Sequence, residues 1–453
     1  MENPSCPEMN DRHGTAGLQV VHLDDFSTPD ILPSAEQENH ARRFSSLFID
    51  RRRCRRGGIG RLLYGEDIWG SPVAVKVMDD SPADTAADEA DHVVAREAFM
   101  REYQTLRTLS GVRGFPRLYG LGRLDGKDAI IMEWIEGETL QSALRHLFVD
   151  DEGRLSPLTA AQLGRDLFAL LARMDIIENS VVHRDISTSN IMIDTSVHTL
   201  EEQVDMGHFD LKLVDFGSAI LPGQRASITQ KYGVLRGATP DFAPPEMLTE
   251  DIANIDTLRR SPAVDVYAAA SVLFLLLDGH APFNFERQGR GRSYYLQKTE
   301  RRPRRLTSVH KASGNIVATL GHETQTARLV KEAVARCGRR PPDRELAKIL
   351  STVDDQLESL LLACLNPVQA LRPTAGDVEK ALSRFVDSYG ANIRNGFWGC
   401  PVTPCVDAEA KYQKQDAETG GSGHWGAVVA AGATLALAVA SAIITLARRK
   451  NRS

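Results

Sequence analysis

At 453 residues the chain has room for about three domains, or for one two-lobed enzyme with flanking segments. Apolar residues make up 42% and charged residues 25%, which excludes a disordered or collagen-like chain and permits a sizeable core. The 54 basic and 60 acidic residues leave a formal charge of −6, so no global field points to nucleic acid and no such partner is expected.

In chain order, residues 1–44 are polar, with prolines, acidic residues and no sustained periodicity, and read as a flexible N-terminal arm. The first thirty residues carry Glu2, Asp11, Asp24 and Asp25 and no long apolar run, so no secretory signal is expected. From residue 45 to 135, short apolar runs at Val73–Val77 and Ala129–Met132 predict strands, with Asp125-Gly126 as a turn signal before the second. Phe99, Tyr103, Leu106 and Leu109 recur at helical spacing within Glu97–Leu109. This predicts a small β-rich lobe with one helix. From 140 to 390 the spacing turns helical, as in Leu163–Met174, Val266–Leu277 and Leu357–Leu365, which predicts a large α-helical lobe and an α+β fold.

Residues 389–424 end in Gly420-Gly421-Ser422-Gly423 and read as a juxtamembrane linker. Gly426–Ala447 carries no charge and is long enough to cross a hydrocarbon core of about 30 Å as a helix. With Trp425 at its start, residues 425–447 are expected to form a single transmembrane helix, followed by a basic tail at 448–453. A buried Ala-rich helix is the competing reading. The six scattered cysteines read as reduced thiols, with a Cys400–Cys405 disulfide as the minor alternative. The basic stretch Arg287, Arg290, Arg292, Lys298, Arg301, Arg302, Arg304, Arg305 and Lys311 reads as a solvated insertion; docking to an acidic partner or anionic lipid is the sharper alternative.

Two motifs concentrate the chemistry: His183-Arg184-Asp185-Ile186-Ser187-Thr188-Ser189-Asn190, then Asp215-Phe216-Gly217. Carboxylate and amide oxygens of this kind are hard ligands suited to Mg²⁺. Here the sequence resembles the protein kinase family, whose catalytic loop reads H-R-D-x-x-x-x-N and whose metal-binding turn reads D-F-G. The resemblance covers residues 45–388 and implies a two-lobed kinase fold using ATP and Mg²⁺. It assigns metal binding to Asn190 and Asp215, and makes Asp185 the base for an attacking protein hydroxyl. Val73-Ala74-Val75-Lys76 matches the strand motif whose lysine grips phosphates, with Glu102 as its expected partner and Glu97 as the runner-up.

The phosphate-cradling loop falls on Arg55-Arg56-Gly57-Gly58-Ile59-Gly60, with Arg55 in place of the family's first glycine, so Gly57 and Gly60 carry that role. Met132-Glu133-Trp134-Ile135 looks like the hinge, whose backbone at Glu133 and Ile135 would face adenine. Thr239-Pro240-Asp241-Phe242-Ala243-Pro244-Pro245-Glu246 is similar to the segment ending in A-P-E, and Arg372 matches the family's partner for that glutamate. Asp265 matches a structural position, and Thr239 favours serine/threonine specificity over tyrosine, although Ser187 stands where lysine is usual.

The expected function is therefore a serine/threonine protein kinase that autophosphorylates its activation segment, with Ser227 and Thr229 the preferred sites. Competing readings are a pseudokinase scaffold that binds nucleotide weakly, because of the altered glycine loop and the lysine missing at Ser187, a kinase of tyrosine or dual specificity, and a small-molecule kinase. Partners are a protein substrate, the cell membrane and, as one route of input, a second copy in a homodimer. The linker is acidic and the tail basic, so the positive-inside rule puts the tail in the cytosol. The need for cytosolic ATP puts the kinase domain there, and the second argument is the stronger.

Overall fold

Seven strands build the first sheet: β1 (Leu18–His22), β2 (Asp24–Ser27), β3 (Ser46–Arg56), β4 (Gly60–Glu66), β5 (Pro72–Met78), β6 (Leu118–Leu124) and β7 (Lys127–Glu133). They pair antiparallel in the order β1-β3-β4-β5-β7-β6-β2. Because side chains alternate across a strand, Val73, Val75 and Val77 of β5 point one way, with Leu63, Ala129 and Ile131 beside them in one core. Ala74 and Lys76 take the opposite face, and Lys76 pairs with Ile130 of β7.

The structure, a computed structural model, describes residues 17–29, 33–56, 60–78, 86–177, 181–221, 239–250, 252–285 and 293–406. Two compact units emerge. The first comprises Met1–Ala143, Thr188–Gln203 and Phe209–Gly237. It contains the seven-stranded sheet, helices α1 (Ser34–Phe44) and α2 (Ala86–Leu109), and a small sheet of β8 (Gly137–Thr139), β9 (Ile191–Asp194) and β10 (Leu211–Leu213). The second comprises Leu144–Ser187, Val204–His208 and Ala238–Ser453 and is helical.

The expected arm at 1–44 is replaced, from Leu18 onward, by two strands and a helix. Only Leu23 separates β1 from β2, although these strands lie at opposite ends of the sheet order, so the sheet curls until its margins converge. Leu23 is buried in the core and its N–H donates to the Ser45 carbonyl at 2.8 Å. Phe44, at the end of α1, stacks on Tyr119 with centroids 4.4 Å apart. Among the described residues the β-rich unit thus carries α1 in addition to the one helix expected.

In the second unit, helices Pro157–Ile176, Ala263–Asp278 and Ala375–Phe397 carry most of the core. Thr374 and Asp377 close a capping box at the start of the last, satisfying N–H groups that have no partner inside the helix. That helix runs past the expected boundary at 388. Residues beyond it fold back: Thr403 N–H donates to Asn392 Oδ1 and Cys405 N–H to Gln356 Oε1, each at 2.8 Å. The first part of the expected linker is therefore part of this unit.

Cys54 is disulfide-bonded, which corrects the reading of six reduced thiols, whereas Cys337, Cys364, Cys400 and Cys405 are free. Among the described residues no helix is long and apolar enough to cross a membrane. The span expected at 425–447, its tail and the candidate phosphosites Ser227 and Thr229 lie outside the described residues.

His310 is fully buried, with Nδ1 2.9 Å from Asp354 Oδ2 and Nε2 2.9 Å from Glu323 Oε1. Burial opposes its charged form, but the two carboxylates outweigh burial and push its pKa from 6.5 up to about 10. The folded state therefore binds the proton more tightly than the unfolded one. Its stabilising effect is complete below pH 6.5 and lost as pH rises through about 10. In urea melts, the stability gap between the unmutated chain and His310→Gln is expected to be largest near the acid end and to close towards that upper limit.

Candidate active site

In the first unit, α2 buries Phe99, Glu102, Leu106 and Leu109 along one stripe. A glutamate at i+3 from one apolar residue and i−4 from another shares their face, and burying its charge demands a partner. Lys76 supplies it, with Nζ 2.5 Å from Glu102 Oε2. The same ammonium lies 3.2 Å from Asp215 Oδ1. Burial opposes the charge on Lys76, but the two carboxylates win, so its pKa is raised and it stays protonated. Burial pushes the Glu102 carboxyl up while Lys76 pulls it back. Glu97, the runner-up, instead faces Arg101 at 3.9 Å.

Asp215 sits in the left-handed region at φ 64°, a conformation rare for a residue with a side chain. Phe216 follows it into full burial against Phe115. Asn190 immediately precedes β9 and Val214 immediately follows β10, and the Val214 N–H donates to the Asn190 carbonyl at 3.0 Å. This extra rung on the β9–β10 ladder brings Asn190 to the same end of the small sheet as Asp215. Both expected metal ligands thus belong to the β-rich unit rather than to the large helical lobe.

Gly57 lies outside the described residues. Gly60 pairs with Met78, and a Cβ there would sit 2.2 Å from the Val77 carbonyl oxygen, so strand contact alone already requires glycine. At the hinge, the Glu133 N–H donates to the Arg117 carbonyl, and the Glu133 carboxylate takes Lys212 Nζ at 2.5 Å. Ile135 is buried.

Asp185 belongs to the second unit. Asp265, in the first turn of Ala263–Asp278, accepts the backbone N–H groups of His183 (2.7 Å) and Arg184 (2.8 Å). Those two bonds hold Arg184 at φ 67°, in the left-handed region, directly before Asp185. Burial pushes the Asp265 carboxyl up to about 7, against the pull of the two N–H groups.

Further along, Arg372 grips Glu246 with two bonds of 2.6 and 2.9 Å, both side chains buried. Arg259, which the sequence reading passed over, donates to the Glu246 carbonyl at 3.0 Å and is itself buried. Nothing in Arg259-Arg260 sets it apart from a surface pair.

The protein kinase domain family matches residues 56–382, well over half of the chain. This chain belongs to the protein kinase family. Its curated relatives include the serine/threonine-protein kinase PkaB of Streptomyces coelicolor, 31% identical over 248 residues, 54% of this chain and 51% of that protein. PrkC of Bacillus subtilis is 29% identical over 231 residues, 51% of this chain and 30% of that protein. PknL of Mycobacterium tuberculosis is 30% identical over 239 residues, 52% of this chain and 51% of that protein. The match spans about half the length of these relatives, or less.

The donor set at this site fits Mg²⁺. Asp215 is part-exposed beside a protonated lysine, and the residue before it, Val214, is bonded through its backbone to Asn190. Among the described residues no group of three or more His, Cys, Asp or Glu is placed to enclose a metal. One or two oxygen donors from the protein suit Mg²⁺, which usually takes the rest from phosphates and water.

Truncating Arg372 would leave Glu246 as an uncompensated buried charge. Arg372→Ala is expected to lower unfolding free energy by about 3–5 kcal/mol, read by urea denaturation.

Proposed function

We propose that this kinase transfers the γ-phosphate of ATP to a serine or threonine hydroxyl of a protein substrate, its own activation segment included. The observation that carries the reading is Lys76 held between Glu102 and Asp215. A scaffold that did not bind phosphate would have no use for a buried ammonium aimed at a part-exposed carboxylate.

In this mechanism Lys76 binds the α and β phosphates, with Glu102 fixing its position. Asp215 and Asn190 hold Mg²⁺, which when bound neutralises phosphate charge. Backbone groups of Glu133 and Ile135 take the adenine, and Gly57 and Gly60 let the chain approach the phosphates. Asp185 accepts the proton of the attacking hydroxyl as its oxygen bonds to phosphorus and the ADP oxygen leaves.

Asp185→Asn is expected to cut turnover by at least about a hundredfold while leaving nucleotide affinity nearly unchanged, because the base touches the hydroxyl and not the nucleotide. Asp215→Asn is expected to weaken Mg²⁺-dependent ATP binding as well. Turnover assays with titration calorimetry check both, and mass spectrometry of the product names the modified hydroxyl. Wild-type turnover in Asp185→Asn would overturn the assignment.

We also propose a single-pass anchor at residues 425–447 with the kinase domain on the cytosolic side, supported by the uncharged run and its flanking Trp425 and Arg448. Protease added to intact cells is expected to spare the catalytic domain. Self-association through the membrane segment is compatible with this arrangement.

A further inference from the structure

Lys298 lies inside the basic stretch that reads as solvated, yet it is 1% exposed. From the helix Tyr294–Glu300 its Nζ reaches the Ala243 carbonyl at 2.6 Å and the Asp241 carbonyl at 3.5 Å. The rings of Tyr267, Phe283 and Phe285 surround it, with centroids 5.2, 5.5 and 5.7 Å away. Among the described residues no carboxylate lies within salt-bridge distance of it. A buried ammonium contacted by carbonyls and ring faces is costly, and the more distant carboxylates of Asp241 and Glu246 add to what those contacts supply.

What it holds is the segment Thr239–Pro244. The Phe242 and Ala243 N–H groups both turn back onto the Thr239 carbonyl at 3.0 Å, so the segment is a tight turn whose far side is closed by Lys298. Its platform is the helix Ala263–Asp278. There Asp265 holds the backbone of His183 and Arg184, and Tyr267, two residues later, carries both Lys298 and Arg372 against its ring. One helical turn therefore fixes the loop bearing Asp185 and the turn bearing Thr239 within the same unit.

We propose that Lys298 is a positioning residue for the acceptor: it locks the Thr239–Pro244 turn in register with the Asp185 loop, so that a protein hydroxyl is presented to the base. The inference rests on the kinase reading above. It gives the basic insertion a second part, an inward-facing lysine that braces the substrate platform. Burial also pushes Lys298 down to about 7, with Asp241 and Glu246 opposing the fall and Arg372 adding to it. Among the described residues these three, with Tyr267 whose ring lies against the ammonium, are the charged and titratable groups acting on it. Only the charged form has the full attraction to the rings, so the brace weakens as pH rises through neutrality.

The test uses the full chain, ATP, Mg²⁺ and the best acceptor from a serine/threonine peptide array. Lys298→Met keeps the volume and removes both charge and donor; Lys298→Gln keeps a donor. Lys298→Met is expected to raise KM for the peptide by about fivefold or more, leaving KM for ATP and Tm unchanged, with partial recovery in Lys298→Gln. In the unmutated chain the peptide KM should rise between pH 6.5 and 8, about the range in which the ammonium discharges, and in Lys298→Met it should not. Hydrogen exchange at residues 239–244 should speed up in Lys298→Met. An unchanged peptide KM with unchanged exchange in a folded Lys298→Met overturns the inference, and so does a loss of Tm that accounts for the whole effect. If the unmutated chain phosphorylates no peptide, the kinase reading fails, and the exchange measurement still decides the role of Lys298.

Discussion

A lysine ammonium removed from water has to be answered by negative charge, and much of the β-rich unit is arranged around that requirement at Lys76. Strand alternation puts Lys76 on the face of β5 away from the valine core. The helix α2 must then present an acid on its buried stripe, which explains Glu102 between Phe99 and Leu106. A second carboxylate arrives only because Asp215 adopts a left-handed backbone, a conformation that costs on the order of 1–3 kcal/mol. Phe216, buried beside Phe115, anchors the chain on the other side of that turn.

The helical unit uses the same currency of buried acids for a different purpose. Asp265 spends its carboxylate on two backbone N–H groups, and Glu246 spends its own on a guanidinium. Apolar replacements of matching volume would often stabilise such sites as well or better. What apolar side chains could not do is hold Arg184 in a left-handed conformation, or tie the end of the Thr239–Glu246 segment to Arg372 from a fixed direction. These acids therefore act on geometry more than on stability.

Much of this was legible in the sequence because it depends on local order. The alternation around Lys76, the placement of Glu102 on an apolar stripe, and the fixed spacing from Asp185 to Asn190 can each be read within a few residues. The strands β1 and β2 were not legible: Leu18–His22 and Asp24–Ser27 are short, the second is acidic, and their partners lie at Ser46–Asp50 and Leu121–Arg123. Lys298 was hidden for a related reason. It lies in a stretch whose other charges, such as Arg301, Arg302, Arg304 and Arg305, are mostly basic, and its neighbours in space, Tyr267, Phe283 and Ala243, come from other segments. The assignment of Asn190 and Asp215 to the β-rich unit was missed because β9 and β10 are too short to declare themselves by pattern.

The convergence of both sheet margins on Leu23 bears on how this kinase avoids sticking to itself. A strand at the end of a sheet offers a row of unpaired N–H and C=O groups on which another chain can template. Here both margins are formed by one stretch, residues 18–27, in short strands of five and four residues, and Asp24 and Asp25 add charge at one of them. A polypeptide cut where the family match begins, at residue 56, would lose that stretch and most of β3 with it. It would keep the site residues and lose what shields the sheet, leaving β4 and β6 as raw margins open to strand-by-strand growth into aggregates.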